Sequence, residues 1–154
     1  MTLIFEGRMN GEPTVLISLT FVHSDDAIRL YINAFEAVEL YRIPTPQGKI
    51  IHAEILIGNS KILLSDEFKE LGIFAAKTND HTPFLFPISV DSCDDAYMAA
   101  VDAGAISLKE PIDELWGARS ATVKDPFGYR WSLVEKKEDL SYEDICQRAK
   151  AIFD

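Results

Sequence analysis

His52 and Glu54 sit two residues apart in the run Ile50-Ile51-His52-Ala53-Glu54-Ile55, a spacing that puts both on one face of a strand. An imidazole oriented by a carboxylate is a general-base arrangement. The same pair also fits a polar row on a half-exposed strand or at a dimer seam. Arg119 brings a guanidinium that could reach an anion, and Trp116 an indole that could stack on a ligand at a cavity mouth. Packing of Trp116 and ion pairing of Arg119 are equally open. Ser18, Ser89 and Ser132 have no His and Asp partner set, so no nucleophilic triad is expected. His23, beside a helix start, and His81, in a linker, read as surface residues. Cys93 and Cys146 lack metal-site spacing and read as free thiols of a reducing compartment.

The element that must position these groups is the stretch from Arg119 to Val134, two β-rich runs around Asp125-Pro126-Phe127-Gly128. A Pro- and Gly-bearing turn between such runs predicts a β-hairpin. In its second run Tyr129, Trp131 and Leu133 share one face and Arg130, Ser132 and Val134 the other. The first set requires a core. The second is mixed and reads as the wall of a space that a ligand can enter.

The rest of the chain repeats a pattern. Val15, Ile17, Leu19 and Phe21 alternate with Leu16, Ser18 and Thr20, which predicts a strand with one apolar face. Ser24 is the expected N-cap of a helix to about Val38, with Ile28, Tyr31, Ile32 and Phe35 on its apolar stripe. Strands are expected over 39–43, 49–57 and 61–65, and a polar linker over 68–82. The motif Val22-His23-Ser24-Asp25-Asp26-Ala27 then returns as Val90-Asp91-Ser92-Cys93-Asp94-Asp95-Ala96. Behind it come a helix from about Asp94 to Ala103, a strand over 105–109 closed by Pro111, and the hairpin. The two copies are offset by roughly 68 to 70 residues, a fixed period that marks a duplicated architecture. Ser141 with Asp144 forms a capping box for a last helix.

The organisation expected is an arm (1–12), one domain of two βαβββ modules (13–67 and 83–137, linker 68–82) and a C-terminal helix (138–154). The class is α+β, with curved mixed sheets, helices on their convex faces, and the mixed rows facing each other across a cavity. A net charge of −10 disfavours nucleic acid as a partner. No run of about 18 apolar residues or signal-peptide pattern is present, so a cytoplasmic protein without membrane partners is expected.

The paired modules, with Asp125-Pro126-Phe127-Gly128, resemble the vicinal oxygen chelate superfamily, which holds glyoxalase I, extradiol dioxygenases, fosfomycin-resistance enzymes and bleomycin-resistance proteins. The run around His52 and Glu54, Ser65-Asp66-Glu67 and Trp116-Gly117-Ala118-Arg119 are similar to its PhnB-like branch. In metal-using members the first and last strands of each module give one His, Glu or Gln ligand. Those places fall here at Leu16, Leu64, Leu85 and Ser132, which offer none of these donors. Along the same face only Asp66 would be a new one. The resemblance therefore implies a protein without the family metal or another cofactor, binding a small, partly apolar organic molecule in a concave cavity. Leu16, Ser18, Leu64 and Leu85 would line it with Trp116, Arg119, Arg130 and Ser132. The alternative it leaves is a lyase- or isomerase-type enzyme with a displaced metal or an acid-base site of His52, Glu54 and Arg119. The resemblance further implies a homodimer.

Overall fold

The computed structural model describes residue 13, residues 15–77 and residues 82–153, with side chains to 151. The expected arm and His81 lie outside the described residues. The first module contains β1 (Ile17–Phe21), α1 (Ser24–Phe35), β2 (Val38–Pro44), β3 (Ile50–Ile57) and β4 (Ser60–Asp66). The second contains β5 (Phe86–Ser89), α2 (Cys93–Asp102), β6 (Ile106–Asp113), β7 (Ala118–Lys124) and β8 (Arg130–Lys136), and α3 (Tyr142–Phe153) follows. Each module forms a mixed four-stranded sheet, in the orders β1-β4-β3-β2 and β5-β8-β7-β6. The helix after the first strand carries the chain across the sheet, which makes β1 parallel to β4 and β5 parallel to β8. The architecture is α+β, two βαβββ modules with a C-terminal helix.

By compactness the chain falls into two units, one running through Ile28 with Ala37–Ala75, the other Arg29–Glu36 with the residues from Ala76 onward. Helix α1 thus divides between them. In the first unit Leu19, Phe21, Ala53, Ile55, Ile62 and Leu64 bury one face of the sheet. The buried carboxylate of Asp66 ties the ends together, accepting from the Ser24 amide at 2.6 Å and the Ile50 amide at 2.8 Å. Asp66, and not Ser24, therefore caps α1. Ser24 is already helical, and its buried hydroxyl has no partner among the described residues.

In the second unit Ala121, Val123, Trp131 and Leu133 form the buried face, and α2 packs on β6, β7 and β8. Trp131 lies edge-on to Tyr31, ring centres 5.2 Å apart, with Phe35 at 5.1 Å. The apolar stripe of α1 thus serves Trp131. Beneath the rings, Asp125 Oδ2 accepts from the Tyr31 hydroxyl at 2.7 Å and from Trp131 Nε1 at 2.9 Å. Asp125 Oδ1 accepts from the Phe127 and Tyr129 amides at 3.0 and 2.9 Å.

Two boundaries differ from expectation for backbone reasons. Helix α1 stops at Phe35 because Glu36 turns left-handed, φ 54°. Strand β6 continues through Pro111 to Asp113: it is an edge strand with an irregular register between Lys109 and Ile112, where a missing N–H breaks no ladder. The capping box of α3 forms as read, Ser141 N to Asp144 Oδ2 and Asp144 N to Ser141 Oγ, both 3.1 Å.

Candidate functional site

The less buried face of the first sheet gathers a polar group around Glu54. Register puts Tyr41 opposite Glu54 and Ile43 opposite His52. The Tyr41 hydroxyl donates to Glu54 Oε1 at 2.8 Å, His52 Nε2 is 3.3 Å from the same oxygen, and Lys61 Nζ lies 3.2 Å from Oε2. The Tyr41 hydrogen bond holds the Glu54 carboxyl below its ordinary value against partial burial, helped by His52 and Lys61. The same bond pushes the Tyr41 phenol up. Glu54 is thus an ionised hub that orients a phenol and an imidazole. Sequence reading paired His52 with Glu54 but missed Tyr41 and Lys61; the turn register that brings Tyr41 across was the available signal.

On the second sheet the corresponding face carries Ser120, Thr122, Ser132 and Val134, with Thr122 opposite Ser132 and Ser120 opposite Val134. At one end of this row opens a cavity of about 420 Å³. Trp116 forms a wall, Val90, Ala118, Val134 and Leu140 give apolar lining, and Ser89 a hydroxyl. Lys136 on the rim is ion-paired with Asp139. Beside it Glu114 accepts from Ser120 Oγ and Lys109 Nζ. Burial pushes the Glu114 carboxyl up, but these two donors outweigh it and hold it below its ordinary value. Sequence reading missed Lys109, Glu114 and Ser120: the irregular register of β6 hides the face of Lys109 and Glu114 lies beyond its end, while alternation along β7 was the available signal for Ser120.

The other sequence-predicted residues divide. Trp116 lines the cavity and Ser132 sits next to Val134 on the same face. Ser18 is exposed on β1, while Leu16 and Leu85, 36% and 42% exposed, immediately precede β1 and β5. Leu64 is corrected. It pairs with Leu19 and is buried in the core; the residue opposite Ser18 is Leu63, which also pairs with Glu54. Arg119 is corrected too, because it lies opposite Glu135 on the face that α2 covers. Its Nε meets Asp94 at 2.6 Å and its Nη1 meets Asp113 at 3.0 Å, and it does not line the cavity.

With Leu63 in place of Leu64, the positions at which metal-using relatives place ligands carry Leu16, Leu63, Leu85 and Ser132, and a divalent ion needs imidazole, carboxylate or thiolate. Asp66 lies on the buried row with Leu64, 4% exposed, where its two oxygens accept the Ser24 and Ile50 amides. Among the described residues no group of three or more His, Cys, Asp or Glu is placed to hold an ion. The residues do not fit the family metal.

The model of the glyoxalase/bleomycin resistance protein/dioxygenase superfamily matches residues 16–133. The chain belongs to this superfamily. An uncharacterized protein of Mycobacterium bovis is 34% identical to this superfamily member over 140 residues, covering 89% of this chain and 92% of its own. Its fold is similar to that of TioX from Micromonospora sp. ML1, with TM-score 0.63, 23% identity, and coverage of 80% and 98%. It is also similar to a PhnB protein of Bacillus cereus, with TM-score 0.61, 12% identity, and coverage of 80% and 99%. No helix among the described residues is long and apolar enough to cross a membrane.

Proposed function

We propose that this superfamily member binds a small, partly apolar organic molecule on the polar face of its second sheet, in the cavity walled by Trp116, and does so without a metal. One observation carries the reading: Trp116 with Val90, Ala118, Val134 and Leu140 encloses a cavity whose polar groups, the Ser89 hydroxyl and the charges of Lys136, Glu138 and Asp139, are few enough to orient a small molecule. A thermal-shift screen of metabolites tests it, since a ligand at 100 times its Kd adds about 2.7 kcal/mol of stability. Val134→Trp fills the cavity and abolishes the shift while leaving the unliganded protein folded. Binding that survives Val134→Trp places the site elsewhere, and a stoichiometric zinc, nickel, iron or manganese in protein purified without chelator overturns the metal-free part.

A second reading is favoured by the group around Glu54. With Tyr41, His52 and Lys61 converging on one carboxylate, the first sheet has the parts of an acid-base site in which His52 moves a proton and Glu54 orients it. If the ligand found is turned over, His52→Gln lowers kcat at least about a hundredfold with little change in Kd. A variant with unaltered turnover removes this reading.

The protein is also proposed to be a cytoplasmic homodimer that uses neither nucleic acid nor membrane as a partner. Edge strands β2 and β6 expose Val38, Leu40 and Ile43, and Ile106, Leu108 and Ile112, apolar side chains on strands with unpaired edges. Light scattering after size exclusion is expected to give twice 17.3 kDa. A monomer at high micromolar concentration removes the dimer.

A further inference from the structure

Arg130 begins β8 on the polar face of the second sheet, directly opposite Lys124 and two residues before Ser132. It is half-buried, its Nε is shut off from solvent, and that atom has no hydrogen-bond partner. Among the described residues Arg130 has no ion pair either. This is exceptional in its context. The chain has 25 Asp and Glu against 15 Lys and Arg, so carboxylates are in surplus. Arg42 takes up Asp25 and Glu39, Arg119 takes up Asp94 and Asp113, and Arg148 holds Glu138 through two nitrogens. Arg130 is left without one beside a second cation, although like charges directly opposite on a sheet repel. A partly desolvated guanidinium without an anion is a costly arrangement, and one that an anion relieves.

We infer that the ligand of the second sheet is an organic anion, a carboxylic acid with an apolar body, whose carboxylate is held by Arg130. This rests on the cavity reading above and deepens it. A guanidinium offers parallel N–H donors in the geometry of a carboxylate. The hydroxyls of Ser132 and Thr122, paired across the ladder, continue the row toward Val134. Four residues of strand span about 13 Å from Arg130 to Val134, so a molecule of about this length anchored at the guanidinium places its apolar body in the cavity that Val134 and Trp116 line. The molecule is therefore amphipathic, charged at one end only, and held where a neutral isostere leaves the guanidinium unpaired.

Calorimetric titration with phenylbutyrate and with its neutral amide tests this. The acid should bind at least about tenfold tighter than the amide, as a charge-assisted pair predicts. Arg130→Met should abolish that preference while the amide binds as before. Unliganded Arg130→Met should melt no lower than the parent protein, since it removes a buried unpaired group. Arg130→Lys keeps the charge without the fork and should retain only part of the preference. Equal affinity for acid and amide, or a preference that survives Arg130→Met, overturns the anion assignment and leaves the cavity reading standing. Binding of neither probe overturns the assignment. Only if the metabolite screen is also blank does the cavity reading fall with it.

Discussion

Replacing Asp125 by alanine should lower the stability of the protein by about 4 kcal/mol or more, a large part of the roughly 5–15 kcal/mol that holds a domain together. The Asp125 side chain is 1% exposed and accepts from Tyr31, Trp131 and the amides of Phe127 and Tyr129. Each buried donor that loses this acceptor costs about 1–3 kcal/mol. Asparagine should fall between, since its single carbonyl oxygen can serve either the side-chain pair or the amide pair. The pH dependence has a definite sign. Burial pushes the Asp125 carboxyl above its ordinary 3.8, while the four donors pull the other way and do not prevail. A group whose folded pKa is raised contributes most below its unfolded pKa and loses that contribution as pH rises through the folded pKa. The gap in urea midpoint between the parent and Asp125→Ala should therefore be widest in acid and narrow with rising pH. A gap that widens with pH would mean that the four donors outweigh burial, and an unchanged midpoint would mean that the carboxylate does not hold this turn.

That residue also marks where sequence reading ran out. The turn at Asp125-Pro126-Phe127-Gly128 and the alternation of Trp131 and Leu133 into the core were legible, because both are local. The reason an aspartate begins the turn was not, since Tyr31 lies 94 residues upstream. The slip at Leu64 has a different cause. Leu63 and Leu64 are chemically the same, so hydrophobicity gives no register there, and one step of register exchanges the two faces of a strand. The true face is marked by Asp66, an acid that belongs to the buried row only because two amides satisfy it. Arg119 shows the reverse case. Alternation with Ala118 and Ser120 already puts it on the other face, and the ion pairing that the surplus of carboxylates left open in the sequence is the arrangement it adopts.

Gly117→Ala should cost about 2–5 kcal/mol and weaken any ligand held beside Trp116. Gly117 sits at φ 81°, where an L side chain is strained by about 1–2 kcal/mol. A Cβ there would also stand 3.0 Å from Leu140 Cδ1, 3.1 Å from Glu138 Cβ and 3.2 Å from the Glu138 carbonyl oxygen, and overpacking of this kind adds about 1–3 kcal/mol. The neighbours have little freedom to retreat. The Gly117 carbonyl itself accepts the Lys137 and Glu138 amides, both at 2.9 Å, which draws residues 137–140 against the turn. Because Glu138 and Leu140 line the cavity with Trp116 and Ala118, the displacement is transmitted to the site. Gly72→Ala separates the two contributions: Gly72 has φ 74° but nothing within 4 Å of its Cβ, so it should cost only the backbone strain and leave binding untouched. Equal losses of melting stability in the two variants would mean that the segment after β8 does not close on Gly117. A Gly117→Ala protein that binds as the parent does would remove Leu140 and Glu138 from the site and leave Trp116, Ala118 and Val134 to hold the ligand alone.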